Sequence, residues 1–452
     1  MIKKNNLPSL RLANCGKFIA RVSACLFLSA GSALAAYTNL NWNAGVTFKE
    51  TYDDNVYLQD VQPNPIGVAN ARAAGLTAAT AYKSSWLTTV LPHLGLNYEN
   101  GNSTFNFQAA YAPEIALYTS AEDEDYVTHR TTLNFRGHIE DVTWELLNSP
   151  TFIQGSTVGP TFASPGDVPA IGGIPLRNRR EAFIFINSFR VTVPLGNWFI
   201  RPVATSYYHD FLTDQRLPVT GSGYTYENYY DRQDINGGLD IGYDVGRKTF
   251  LILGYRYGRQ DQFNGPKGNA FVDSPYDRAY HRVLIGVEGS PAPWIKLAML
   301  GGPDFSDWAA GTDPGFDRNK IVYWIDAKVT LLPTKNDTIV LFHRSYQQPA
   351  FASESVYQDI TSTVMWTHRF NDHLSASAGM ELYIGDWQAP VKRDDWIYTP
   401  SFDITYAYNQ HVSAEFSFSR DWAENQQSGL ANGGEGREFT RDLFSLAVQC
   451  VF

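Results

Sequence analysis

Phe444-Ser445-Leu446-Ala447-Val448-Gln449-Cys450-Val451-Phe452 closes the chain and decides its fold. Counting back from Phe452, every second residue from Cys450 to Phe444 is apolar or aromatic, and small or polar residues dominate the positions between them. Successive side chains of an extended chain point to opposite faces. The segment is therefore predicted to be a β-strand with one apolar and one more polar face.

A terminal aromatic residue that follows apolar residues at alternate positions resembles the ending of bacterial outer-membrane β-barrel proteins. The resemblance implies that the apolar face contacts lipid and that the barrel assembly machinery binds the last strand. The alternative is a soluble β-sandwich that ends on Phe452.

The first 35 residues have the features of a cleavable export signal. Their charged residues are all basic, namely Lys3, Lys4, Arg11, Lys17 and Arg21. An apolar run at 22–28 precedes the small residues of Ala33-Leu34-Ala35, which predicts a signal peptide at 1–35 and a mature domain at 36–452. The run is shorter than the ~20 residues of a membrane-spanning helix. Lipoprotein processing at Cys25 is an alternative, although Arg21 interrupts the apolar core which that signal needs.

The composition is acidic, with 36 Lys and Arg against 46 Asp and Glu and a formal net charge of −10. Loss of the five basic residues in the leader brings the mature chain to about −15. We therefore expect no nucleic acid partner, because phosphate backbones bind basic surfaces. Of the 3 cysteines, only Cys450 lies in the mature chain, so no internal disulfide forms.

Stretches of period-two alternation recur between the two ends, separated alternately by tight turns and long loops. The predicted turns are Asn100-Gly101, Glu140-Asp141, Gly196-Asn197, Gly246-Arg247, Ser290-Pro291, Thr334-Lys335-Asn336, Asn371-Asp372 and Asn409-Gln410. The predicted loops lie near 59–83, 119–126, 150–180, 212–228, 260–278, 303–318, 347–356, 386–394 and 421–437. Together they join about 18 strands, an even number that is typical of bacterial barrels. The sequence thus predicts an all-β fold, a transmembrane antiparallel up-and-down β-barrel with long extracellular loops and short periplasmic turns.

The two faces of the strands differ in a way that predicts which one contacts lipid. In the strand from Leu374, Met380 and Ile384 share the apolar face, whereas Ser377 and Glu381 share the other. Apolar faces rich in aromatics and polar faces with charges favour an apolar exterior. Tryptophans near the strand ends predict two girdles, with Trp42, Trp144, Trp198, Trp294 and Trp366 at the periplasmic end and Trp86, Trp387, Trp396 and Trp422 at the extracellular end. No later run is long enough for a helical span.

The polar faces carry charges of both signs and are predicted to line a pore. The proposed lining residues are Glu114, Arg136, Arg190, Asp240, Arg256, Arg282, Asp326, Lys328, Glu381, Asp403 and Glu415. The alternation along the strands also places six further charged residues on the inner face, namely Asp234, Asp244, Glu288, Arg201, Lys296 and Arg441. Barrels of 16–18 strands leave an aqueous channel, and nearly balanced charges predict weak ion selectivity. The alternative is a filled barrel whose charges pair across a dry core, at a large desolvation cost.

The loop at 150–180 differs from its neighbours because Asp167 is its only charged residue between Ser149 and Leu176. An apolar loop has little reason to lie in water. We predict that it folds back into the barrel and that Arg177, Arg179 and Arg180 line or flank a constriction. The loop at 59–83 is also low in charge and is a candidate to join it. The alternative is an exposed docking patch for a neighbouring subunit.

The chain lacks the motifs of the common catalytic and cofactor sites, including HExxH, GxSxG and phosphate-binding loops. His209-Asp210, Asp53-Asp54 and Asp394-Asp395 lie near predicted strand ends, where acidic barrels are rich in such residues. We therefore assign no catalytic residue, no metal and no cofactor, and expect no enzyme. The acidic run at 122–125 offers oxygen ligands for loose Ca²⁺ or Mg²⁺ binding, without the spacing of a defined site.

The segment Glu50-Thr51-Tyr52-Asp53-Asp54-Asn55-Val56-Tyr57 resembles the opening strand of outer-membrane β-barrel porin families of Gram-negative bacteria, in which Tyr, two acids and Asn follow one another. The resemblance implies an outer-membrane pore or a barrel associated with export of a surface polysaccharide, and it transfers no functional residue. The expected partners are outer-membrane lipids, lipopolysaccharide and small hydrophilic solutes. Two functions remain, a passive porin and a barrel that acts as a surface enzyme or as an accessory of polysaccharide export.

Overall fold

The chain folds into eighteen antiparallel strands that form one sheet. The computed structural model describes residues 39–56, 58, 84–100, 104–155, 182–212, 231–263, 276–309, 311–312, 315–349, 356–389, 392, 394–425 and 439–452. The strands are β1 Leu40–Asp53, β2 Ser85–Glu99, β3 Phe105–Tyr118, β4 Tyr126–Ile139, β5 Val142–Gly155, β6 Ala182–Leu195, β7 Trp198–Phe211, β8 Asp231–Asp244, β9 Thr249–Phe263, β10 Arg278–Ala292, β11 Ile295–Trp308, β12 Val322–Leu331, β13 Asp337–Pro349, β14 Val356–Arg369, β15 Leu374–Trp387, β16 Asp394–Ala407, β17 Val412–Asn425 and β18 Phe439–Val451.

The sheet closes on itself into a barrel. Each strand pairs with its neighbours in sequence, and β1 also pairs with β18 in a register that places Phe48 opposite Val448. Closure leaves no unpaired sheet edge, which is the requirement for a sheet that spans lipid. The predicted antiparallel barrel of about 18 strands is confirmed.

The outer face of the barrel is apolar although it is exposed. Leu253, Ile285 and Leu446 are 58%, 73% and 59% exposed, and each alternates with residues that face the interior. A soluble barrel buries such side chains, whereas a membrane barrel turns them to lipid. The chain is therefore an outer-membrane barrel. The described residues include no helix with the length and hydropathy of a membrane span.

Six of the nine tryptophans assigned to the two girdles are exposed as predicted. Trp42, Trp198, Trp294 and Trp366 near the periplasmic turns, and Trp86 and Trp422 near the loops, are all about half exposed on the outer face. The prediction that Trp387 belongs to the extracellular girdle is wrong, because its side chain is 3% exposed and its indole donates to Asp395 Oδ2 at 3.0 Å. Trp387 lies an odd number of positions after Met380 along β15, so the pleat turns it to the opposite face.

Several strands are longer than the sequence predicted. Strand β5 continues to Gly155, so residues 150–155 belong to a strand and not to the third loop. Pro150 and Pro303 suggested loops, yet both lie within strands, opposite Phe185 and Tyr323. The predicted Ser290-Pro291 turn is also wrong, since β10 runs on to Ala292 through a register shift and the turn falls at 293–294.

The predicted signal peptide at 1–35 lies outside the described residues.

Apolar side chains fill part of the interior near the extracellular strand ends. Leu58, which follows β1, is fully buried in a cluster with inward-facing residues of β15 to β18, namely Tyr383, Ile397, Ala423 and Phe439. A second cluster joins Phe316, between β11 and β12, to Tyr276, Trp308 and Val356. The start of the first loop therefore turns into the barrel. The rest of that loop, 59–83, lies outside the described residues.

Candidate functional site

Two cavities lie along the inner face of the barrel. The first, of about 850 Å³, is bounded by side chains from β5 to β13. The second, of about 760 Å³, lies toward the periplasmic turns, where Lys248 and Gly289 contribute to its wall. Glu145, Arg190 and Arg201 line both cavities. These three residues therefore lie where the cavities meet.

Glu145 is held between two arginines at this junction. Cross-strand register places it opposite Arg136 on β4 and Arg190 on β6. Its Oε1 lies 2.5 Å from Arg136 Nε and its Oε2 lies 2.5 Å from Arg190 Nη2. Both arginine side chains are more than half exposed to the lumen. One carboxylate thus holds two guanidinium groups in place without neutralising both.

Replacing Glu145 with Gln should make the barrel more anion-selective, because it removes the one negative charge between two lumen-facing guanidinium groups. We expect the anion-to-cation permeability ratio to rise roughly twofold, measured as the zero-current potential across a bilayer in a KCl gradient. Glu114→Gln is the control, since Glu114 pairs with Arg130 at 2.5 Å and lines neither cavity. If both variants shifted the zero-current potential equally, Glu145 would not lie at the junction of the two cavities.

A chain of ion pairs continues from the junction along the inner face. Arg201 Nε lies 3.1 Å from Asp240 Oδ2, and Arg201 Nη1 lies 2.9 Å from Glu288 Oε1. The other oxygen of Asp240 lies 2.7 Å from Arg256 Nη1. Gly254 lies beside the carboxylate of Asp240. The Cβ of any larger residue at position 254 would lie 2.6 Å from Asp240 Oδ1 and would displace it. These charges pair along the wall and leave the adjacent space open.

A second group of residues surrounds Arg282 in the larger cavity. Its Nε lies 2.6 Å from Asp304 Oδ2, and its guanidinium stacks over the Tyr280 ring at 4.1 Å. The Tyr280 hydroxyl donates to Asp234 Oδ1 at 2.6 Å. Tyr280 lies against Gly258, where any larger residue would collide with its ring. The aromatic ring and the ion pair fix the direction of the guanidinium.

Arginines dominate the larger cavity, which we call the arginine cavity. Its arginines are Arg190, Arg201, Arg232, Arg256, Arg278, Arg282 and Arg344. Its carboxylates are Glu145, Asp234 and Asp240. Asp304 and Glu288 pair with two of the arginines from outside the cavity wall, which reduces the excess of positive charge but does not remove it.

The opposite wall of the barrel is acidic. The inner faces of β15, β16 and β17 carry Glu381, Asp403 and Glu415. Thr363 Oγ1 donates to Glu381 at 3.2 Å and Thr405 Oγ1 to Glu415 at 3.4 Å. Within the described part of the chain, none of the three forms an ion pair within 4.0 Å. The lumen therefore has a basic and an acidic side.

Three further residues that were predicted to line the pore lie outside the arginine cavity and the acidic wall. Asp326 and Lys328 share the inner face of β12, where Asp326 lies opposite Arg344. Glu114 accepts a hydrogen bond of 2.5 Å from the Tyr126 hydroxyl. Arg177, Arg179 and Arg180 lie outside the described residues, so the predicted constriction stays a prediction.

Sequence reasoning missed four residues of this inner face, namely Arg232, Arg278, Arg344 and Asp304. The predicted loop at 260–278 includes Arg278, yet this residue begins β10, four residues before Arg282 on the same face. Period-two counting from Arg282 was the signal that could have found it. No three or more His, Cys, Asp or Glu side chains among the described residues group closely enough to hold a metal ion.

No family model matches the chain, and no curated protein matches its sequence. Solved structures that resemble it include the outer membrane protein OpdK from Pseudomonas aeruginosa, with 9% identity over 91% of this chain and 98% of that one and a TM-score of 0.41. OccAB3 from Acinetobacter baumannii has 9% identity over 91% and 99% of the two chains and a TM-score of 0.37. The siderophore receptor PirA from Pseudomonas aeruginosa has 6% identity over 91% and 80% and a TM-score of 0.40. The similarity is one of barrel architecture alone.

Proposed function

We propose that the protein is an outer-membrane channel through which small hydrophilic solutes diffuse. The observation that carries the proposal is the pair of cavities that meet at Glu145 inside a closed barrel of eighteen strands. A barrel of this circumference is too wide for side chains to fill. Charged and hydroxylic residues on its inner face keep such a space hydrated, because their desolvation would cost more than their pairing returns.

The channel discriminates weakly between small monovalent ions. Its inner face carries arginines on β6 to β13 and carboxylates on β15 to β17, so ions of either sign meet a favourable wall. Salt at physiological strength screens such charges within about 8 Å. We therefore infer a permeability ratio close to one for potassium and chloride in the unmodified protein.

A second function, as an accessory of polysaccharide export, is favoured by the apolar cluster around Leu58. This cluster occupies the interior near the extracellular strand ends. A barrel closed at that end would open only on contact with a partner. In that case the purified barrel would show no solute flux.

Liposome swelling tests the diffusion channel directly. Liposomes that contain the folded protein should swell in isotonic arabinose, and more slowly in the larger sugar raffinose, because a pore of limited width slows larger solutes. Liposomes with the same amount of heat-denatured protein are the control. Absence of swelling in every sugar, with protein shown to be folded and inserted, would favour the export accessory.

A further inference from the structure

Among the residues that the structure describes, two guanidinium groups of the arginine cavity have no carboxylate within the 4.0 Å of an ion pair. Arg278 is 3% exposed and donates only to neutral oxygens. Its acceptors are Gln260 Oε1 at 2.9 Å, Ser306 Oγ at 3.0 Å, and Gln347 Oε1 and O at 3.3 and 2.6 Å. Arg344 is exposed on the cavity wall, and its guanidinium stacks over the Tyr346 ring at 5.0 Å. Both guanidinium groups are thus held in place by neutral groups, and no carboxylate pairs with them directly.

Burial of a charge is unfavourable unless an opposite charge compensates it. Neutral acceptors satisfy the N–H groups of Arg278 but leave its positive charge. The cavity wall has seven arginines and three carboxylates. Asp304 and Glu288 add two carboxylates from outside the wall, so the cavity keeps a positive potential. Low-dielectric walls concentrate such a potential. The cavity is thus suited to an anion that supplies the missing negative charge.

The positions of the arginines indicate an anion with more than one charged group. Arg278 begins β10 near the extracellular end, Arg344 lies midway along β13, and Arg190 lies at the junction with the periplasmic cavity. A single carboxylate cannot reach all of these levels. Guanidinium groups bind carboxylates and phosphates through paired hydrogen bonds. The volume of about 850 Å³ is that of a small-molecule site.

We propose that the arginine cavity binds small organic anions that carry two carboxylate or phosphate groups, as a solute-binding site within the pathway. The proposal rests on the proposed function in one respect, because the solute reaches the cavity through the lumen. Tyr280, Trp324 and Tyr346 on the cavity wall provide aromatic surfaces for the carbon skeleton between the charged groups.

Block of single-channel current tests the site. Succinate and fructose 1,6-bisphosphate should reduce the conductance of the channel in KCl at concentrations at least tenfold below those of acetate, because two charged groups engage two arginines. Succinate tests a pair of carboxylates, and fructose 1,6-bisphosphate tests a pair of phosphates. Isothermal calorimetry with folded protein in detergent measures the same binding without need of conduction.

Arg344→Gln should raise the half-blocking concentration of succinate about tenfold, the loss expected for one charge-assisted contact. The matched control is Lys328→Gln, which removes an inner-face cation from the neighbouring strand β12 outside the cavity wall. It should change the half-blocking concentration less than twofold. Arg344 is exposed, so its loss leaves folding intact.

The possible outcomes distinguish failure of the proposed anion site from failure of the proposed channel. Equal effects of the two substitutions, or equal block by acetate and succinate, would overturn the site and leave only general electrostatic attraction. Normal conductance with neither block nor calorimetric binding would overturn the site and leave the channel. Absence of conductance with succinate binding that Arg344→Gln weakens would support the site and contradict the proposed channel.

Discussion

Replacing Met380 with Arg should lower the free energy of unfolding by about 2–4 kcal/mol, the cost of a guanidinium that faces lipid near the membrane midplane. Met380 lies midway along β15, with Val364 and Pro400 as its cross-strand partners. The measurement is reversible urea unfolding of the protein in lipid vesicles, followed by tryptophan fluorescence.

Ser377→Arg is the matched control on the same strand. Ser377 faces the interior and lies opposite Asp403, which offers the new guanidinium a carboxylate in water. We expect its cost to stay below about 1 kcal/mol, in line with exposed ion pairs. Equal losses at both positions would show that the interior is as dry as the exterior.

Replacing Arg441 with Leu should cost about 3–5 kcal/mol, because it leaves buried carboxylates without a cation. Arg441 on β18 binds Asp53 on β1 at 2.7 Å, with side chains 4% and 0% exposed. It also lies 3.8 Å from Asp421 on β17. The pair joins the first and last strands at the seam of the barrel. The same urea experiment measures the loss.

Arg420→Leu is the control for this substitution. Arg420 lies on β17 beside the same seam, and its side chain is 48% exposed at 3.5 Å from Asp442. An exposed pair of this kind contributes about 0–1 kcal/mol. If Arg441→Leu were no more damaging than Arg420→Leu, the seam would not depend on its buried ion pair.

The sequence predicted the barrel well because lipid imposes a strict alternation. The lipid-facing side of a strand cannot carry charges at every second position, so the period-two pattern from Leu374 to Ile384 identified both faces of β15. Strand ends were less accurate. Pro150 and Pro303 are local loop signals, and cross-strand pairing on their flanks overrode them.

The sequence predicted which individual residues face the interior, but not which of them lie together in one site. Parity placed Arg190, Asp240 and Arg282 inward, yet it gave no information on which strands lie opposite one another across the lumen. That information arises from barrel closure, which sets the shear and brings the arginines of β6 to β13 to one wall. The nearly equal numbers of acidic and basic residues in the sequence therefore did not predict that the lumen has a basic side and an acidic side.

Planar-bilayer recording of the purified, folded protein tests the central claim that the barrel contains a water-filled path. We predict steady single-channel conductance in KCl, with a cation-to-anion permeability ratio near one that Glu145→Gln shifts toward anions. The same preparation must migrate on gels as a heat-modifiable species, which shows that the barrel is folded. Folded, inserted protein that conducts no ions would contradict the account.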